Sequence, residues 1–186
     1  MKFVSENCKD LRALYVNQLR LLLSAEEQIV RALPDMMNTA TDEQLSQAFR
    51  SHYRETDIHV RRLEELLDNI RSVDPGVPSI SPIRCKAVHA LIAEFEDMMQ
   101  DARDAYVKDA ALIAAAQRVE HYEIAAYGAV RQFALVLGDT AAAEVLDMTL
   151  KEEGDIERLL TGIAERIDVG ARHSRGAGAV NNRTAA

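Results

Sequence analysis

Acidic residues in this sequence recur at four places where an ionised carboxylate is costly. Glu26 has Leu22, Leu23, Ile29 and Val30 at its helical neighbour positions, and Glu55 with His59, Glu120 with Glu123, and Glu153 with Glu157 repeat the placement. On amphipathic helices these side chains would all point into one core, where carboxylates are unfavourable unless a cation compensates them. The chemistry implied is metal binding. His59 lies one turn from Glu55, so an imidazole and a carboxylate could bind the same ion. Glu120 and Glu123 are a close pair on an inward face. Without a cation they would repel, and one would have to protonate; a bridging metal removes that conflict.

The segment Arg54-Glu55-Thr56-Asp57-Ile58-His59 aligns without a gap on Glu152-Glu153-Gly154-Asp155-Ile156-Glu157, with Glu, Asp and Ile shared. Each half of the chain therefore reads as a helix pair in which one carboxylate, Glu26 or Glu123, faces a doublet on the next helix. Glu26 is preferred to Glu27, whose neighbours Ser24 and Arg31 place it toward an edge. His52, one turn before Glu55 and on the same stripe as His59, is either a group behind the ligands or an ordinary packed residue. Tyr122 and Tyr127 either line the pocket or belong to plain core. Glu152, Asp155 and Asp57 read as solvated, and His121, Arg118 and Arg54 at best as groups behind the ligands.

Positioning such residues requires long helices. Apolar residues at steps of three and four predict a first helix from about Ser5 to Thr39, with Pro34 kinking it or ending its regular part. Thr41, with Gln44 three residues on, predicts a capped second helix whose buried stripe is Leu45, Ala48, Phe49, His52, Thr56, His59, Leu63, Leu66 and Ile70. Three of the four prolines fall in a connection from Ser72 to Pro82. A shorter helix follows from Ile83 to about Asp104. A third long helix runs from Tyr106 to Leu137 and stops at Gly138. Thr140 is the expected cap of the fourth, which reaches about Asp168 with Ala142, Leu146, Thr149, Glu153, Ile156, Leu160 and Ile163 inward. Residues 1–169 form the expected domain, and 170–186, small and polar, an expected disordered tail.

Composition agrees with an all-α fold: 186 residues hold 8 Gly, 4 Pro and no Trp, with abundant helix formers. The net charge of −8 argues against nucleic acid or an anionic membrane as the main partner. No apolar run approaches the roughly 20 residues that span a bilayer. Cys8 and Cys85 make neither a disulfide framework nor a zinc spacing, so a cytoplasmic setting is expected.

The strings Leu22-Leu23-Ser24-Ala25-Glu26-Glu27-Gln28, Ala32-Leu33-Pro34 and, above all, the run from Ala114 through Glu120-His121-Tyr122-Glu123 to Gly128 resemble the YciE/YciF-type ferritin-like proteins of bacteria, over about residues 8–168. The resemblance implies a ferritin-like four-helix bundle with a short extra helix in the crossover, a di-metal carboxylate centre, a homodimer and a link to stress response. The ferritin-like pattern supplies, from each half, one Glu and a Glu-x-x-His doublet. Here the spacing is four, and Glu157 stands for the second histidine. Glu120 is similar to the extra acid of a Glu-x-x-Glu in rubrerythrin-like proteins. The expected ligands are Glu26, Glu55, His59, Glu120, Glu123, Glu153 and Glu157. They would hold two iron ions, with manganese as the alternative, reacting with hydrogen peroxide or dioxygen. The competing expectation is a non-enzymatic bundle whose metal is structural or vestigial and which acts through protein partners.

Overall fold

The computed structural model describes residues 9–74 and 83–173, which form five helices and, among the described residues, no strand. Helix α1 spans Leu11–Thr39, α2 Glu43–Val73, α3 Lys86–Asp101, α4 Ala105–Val136 and α5 Thr140–His173. The caps differ from the sequence expectation by one residue at two helices. Asp42, not Thr41, accepts from Leu45 N–H and starts α2, and Asp139, not Thr140, accepts from Ala142 N–H ahead of α5. In both cases the carboxylate outcompetes the neighbouring hydroxyl as acceptor for the exposed first-turn donors. Asp10 caps α1 in the same way, so that helix starts at Leu11 rather than Ser5. Pro34 does not end α1, which runs through it for another turn. Helix α3 is shorter than expected at both ends, and α5 continues past Asp168 through Gly170 to His173. Residues 174–186 of the expected tail and 75–82 of the expected connection lie outside the described residues.

Two apolar clusters fix the topology. One joins the end of α1 (Ile29, Leu33, Met36), the start of α2 (Leu45, Phe49), the start of α4 (Leu112, Ile113) and the end of α5 (Leu160, Ile163, Ile167). The other joins the opposite ends, through Leu19, Leu22, Leu63, Leu67, Val130 and Leu146. Hence α1 runs against both α2 and α4, α5 runs against α2 and α4, and the connection from α2 to α4 traverses the length of the bundle. Helix α3 lies in that crossover and packs on α1 and α4. Its start is tied to α1: Cys85 N–H donates to Ser24 Oγ at 3.0 Å, and Gln28 Nε2 donates to Cys85 O at 3.2 Å.

At the turn between α4 and α5, Gly138 adopts φ 81°, where a side chain would be strained. Asp139 N–H bonds back to Ala134 O and Gly138 N–H to Leu135 O, the Schellman arrangement that reverses the chain. The turn between α1 and α2 is held differently. Buried Asp109 of α4 accepts from Thr41 N–H at 2.8 Å, Thr41 Oγ1 at 2.6 Å and Asp42 N–H at 2.9 Å. Asp109→Ala is expected to lower stability by about 2 kcal/mol, because charge-assisted bonds to two backbone donors are lost together. Urea unfolding at neutral pH measures it, and Asp109→Asn should lose less.

Between the two apolar clusters lies a buried polar layer: Glu26 of α1, His52, Thr56 and His59 of α2, Glu120 and Glu123 of α4, and Thr149 and Glu153 of α5. Leucine and isoleucine burial on either side, each worth about 1.5–3 kcal/mol, offsets the cost of desolvating these groups.

Candidate metal centre

Each helix brings its polar residues inward because they fall on its apolar stripe. The inward stripe of α2 runs through Phe49, His52, Thr56, His59 and Leu63, and that of α5 through Leu146, Thr149, Glu153, Ile156 and Leu160. Two groups of side chains result, each with ligand atoms within 4.8 Å of one another: Glu26, His59 and Glu153 in one, His52, Glu120, Glu123 and Glu153 in the other. Glu153 belongs to both. All are buried, with Glu26, Glu123 and Glu153 at 0% exposure.

The bonding within the layer is uneven. His59 Nδ1 lies 2.9 Å from Glu153 Oε1 and 3.5 Å from Glu26 Oε1. His52 Nε2 lies 3.2 Å from Glu120 Oε1. The Tyr127 hydroxyl donates to Glu26, and its ring meets His59 edge-on with centroids 6.4 Å apart. Both Glu123 oxygens, Glu26 Oε2 and Glu120 Oε2 have no hydrogen-bond partner among the described residues. A fully buried carboxylate with neither oxygen bonded is expensive to keep ionised.

Protonation follows from that expense. Burial pushes the Glu123 carboxyl well above its ordinary range, and Glu26, Glu153 and Glu120 push it further. Burial also raises Glu26 and Glu153, while the facing imidazoles pull the other way. For the histidines burial opposes charge, but the carboxylates win. Glu120, with Glu153 and Glu26 beyond it, lifts His52 to about 9, and Glu153 and Glu26 lift His59 to about 10. Without another cation the layer therefore holds protons in place of one.

The other ring nitrogen of His59 is fixed from outside. Its Nε2 donates to Glu152 at 2.9 Å, and Glu152 in turn accepts from Arg62, whose Nη1 also donates to Thr149 at 3.0 Å. Burial alone would raise Glu152, but Arg62 and His59 hold its carboxyl below the ordinary value. The arrangement aims Nδ1 inward, as carboxylates behind a ligating histidine do. Glu152→Ala is expected to weaken metal binding about 10–100-fold with the helix content unchanged, measured by titration calorimetry and circular dichroism.

Of the residues singled out in the sequence, the structure brings together Glu26, His59, Glu120, Glu123 and Glu153. Glu55 and Glu157 are not in either group. Each helical residue turns the side chain by about 100°, and in α2 the inward seat three residues before His59 is taken by Thr56, whose hydroxyl donates to His52 O at 2.8 Å. Glu55, one step back, lies on the flank, where Ser51 Oγ approaches it at 3.4 Å. In α5 Ile156 takes the corresponding inward seat, and Glu157 accepts from Thr161 Oγ1 at 2.9 Å on the seam with α4. His52 fills part of the gap these substitutions leave. Glu152 is bonded to His59 rather than solvated, and the only sequence signal for it was its place beside Glu153. Four carboxylates and two imidazoles in this geometry could hold a metal ion.

Comparison with known proteins agrees with the fold and with the strings that resemble one family. Residues 10–171 match the family described as "Domain of unknown function (DUF892)". Protein YciF of Escherichia coli strain K12 is 37% identical over 158 residues, covering 85% of this chain and 92% of that protein. The crystal structure of the E. coli stress protein YciF superposes with a TM-score of 0.79 at 35% identity, over 87% of this chain and 98% of that one. YcfI from Rhodopseudomonas palustris gives a TM-score of 0.78 at 34% identity, over 86% and 98%. No described helix is long and apolar enough to cross a membrane. With nearly its whole helical length matched, this chain belongs to the DUF892 family, as a YciF-like ferritin-fold protein.

Proposed function

We propose that the buried layer is a centre for two divalent cations, iron first and manganese as the alternative, and that it reacts with hydrogen peroxide or dioxygen in a bacterial stress response. The observation that carries this reading is Glu153, which belongs to both ligand groups at once, so that its carboxylate would serve both. Charge supports it: four carboxylates with neutral imidazoles match two divalent ions. Harder oxygen donors with two nitrogens suit iron or manganese.

When bound, two redox-active cations would supply the two electrons that, with two protons, reduce dioxygen to hydrogen peroxide or hydrogen peroxide to water. The protein's part is to hold the donors, keep bulk water out and manage protons. His52 and His59 hold protons at neutral pH when no cation is present and must release them to ligate. Tyr127 holds Glu26 in place through its hydroxyl, and Glu152 with Arg62 holds His59.

The name of the E. coli relative as a stress protein supports the setting. A cytoplasmic homodimer is part of the reading, with exposed Leu135, Val136 and Met148 available for an interface. The test is elemental analysis of protein purified without chelators, then reconstitution with iron or manganese and measurement of hydrogen peroxide consumption. With ascorbate added to return the cations to the divalent state, or a second peroxide oxidised to dioxygen in that role, many turnovers per chain are expected, abolished in Glu26→Ala. Tight metal binding with no turnover would select the competing reading, a bundle with a structural metal.

A further inference from the structure

A cavity of about 30 Å³ lies where α3 covers the bundle. Leu91, Ile92 and Phe95 of α3 form its outer side, and Ile29 and Leu33 of α1 with Ala116 of α4 form its walls. At its buried end stand His52 and Glu120, a contacting pair that belongs to one of the two ligand groups. The volume exceeds the roughly 10–15 Å³ that one water needs, yet water also needs two to four polar partners, and only that buried end offers any. An organic substrate would not fit.

We propose that this cavity is a binding pocket for dioxygen, opening onto the His52 and Glu120 side of the centre. The proposal rests on the metal-centre reading for its purpose, but the pocket itself depends only on the apolar walls. Dioxygen is small, apolar and loses little hydration on entry, whereas hydrogen peroxide would have to leave its hydroxyls unpaired along the same walls. Dry cavities lined by Leu, Ile and Phe take up apolar gases for the same reason. The opposite side of the centre is closed by polar contacts instead, with Tyr127 against Glu26 and Glu152 with Arg62 against His59. The two ligand groups are therefore unequal, and the one that includes His52 and Glu120 would meet the gas first.

The paramagnetism of dioxygen gives a direct readout on metal-free full-length protein. Under oxygen pressure the methyl resonances of Ile29, Leu33, Leu91 and Ile92 are expected to relax at least threefold faster than those of Leu67 in the other apolar cluster. Ala116→Leu, which fills the cavity, should remove that difference. In iron-loaded protein it should also slow oxidation by air at least tenfold while oxidation by added hydrogen peroxide and the iron content stay within twofold. Should Ala116→Leu fail to fold, Leu91→Phe fills the space from the half-buried outer side. Uniform relaxation of all buried methyls, or an unchanged air-oxidation rate with the cavity filled, would overturn the pocket. Enhanced relaxation in a chain that takes up no iron or manganese would overturn the metal centre instead and leave the gas pocket standing.

Discussion

Glu123→Met is expected to give a chain that is more stable than the parent without metal and that no longer takes metal up. Glu123 is costly in the layer: it is wholly buried, neither oxygen has a hydrogen-bond partner among the described residues, and Glu26, Glu153 and Glu120 all act on it. Methionine has similar length and volume, so the change removes desolvated charge without opening a cavity. Replacing buried ionic groups by well-packed apolar ones is commonly neutral or stabilising by about 1–4 kcal/mol, and the upper half of that range applies where no bond is broken. Metal affinity should fall by more than the roughly 10–100-fold that follows loss of a group behind the ligands. Urea unfolding of chelator-treated protein and calorimetric titration with manganese(II) measure the two effects. A destabilised variant that binds metal as the parent does would show that Glu123 serves packing and not ligation. The expected trade, stability lost for a site that is costly when empty of cations, is common where function demands buried charge.

Most of the scaffold could be read from spacing. The α2 stripe from Leu45 to Ile70 and the α5 stripe from Ala142 to Ile163 are buried at every position expected, because a 3.6-residue period leaves little freedom about which face meets the core. Glu26, Glu123 and Glu153 were visible as acids on such stripes. What spacing could not show is which of two adjacent residues takes the inward seat at a stripe's edge. Glu55 and Thr56 compete for one seat, Glu157 and Ile156 for another, and the outcome depends on how the facing helix is rotated. His52 stayed open for a related reason: its role is set by Glu120 on α4, a contact across the bundle that α2 alone does not reveal. Asp109 carries no local mark of its role although it lies three and four residues before Leu112 and Ile113, on the buried stripe of α4. Its function is to receive a turn 68 residues away in sequence, and no local pattern encodes that docking.

Metal-free protein is expected to lose stability between about pH 6 and pH 8.5, while metal-loaded protein gains it over the same range. The folded chain holds His52 at about 9 and His59 at about 10, against an ordinary 6.5, and it raises Glu26, Glu123 and Glu153 above 4.5. In all five the folded value exceeds the unfolded one, so across this window the folded state binds more protons and stability must fall as pH rises. The histidine contribution is complete below about 6.5 and vanishes as pH passes about 9 to 10. Each extra proton held is worth about 1.4 kcal/mol per pH unit, and the protons belong to the coupled cluster rather than to single residues. Asp42, Asp147 and Glu152 are lowered and act in the opposite sense, but their change lies wholly below about pH 5. Cations bind only the deprotonated donors, so loading releases protons and the affinity rises with pH; the added stability grows with it. Thermal unfolding with chelator and with manganese(II), at half-unit steps of pH, should give two curves of opposite slope. Glu123→Met should flatten the chelator curve, since it removes one of the proton-holding carboxyls. Two parallel curves would mean that metal and protons do not compete for the same atoms, and the buried layer would then be no metal site at all.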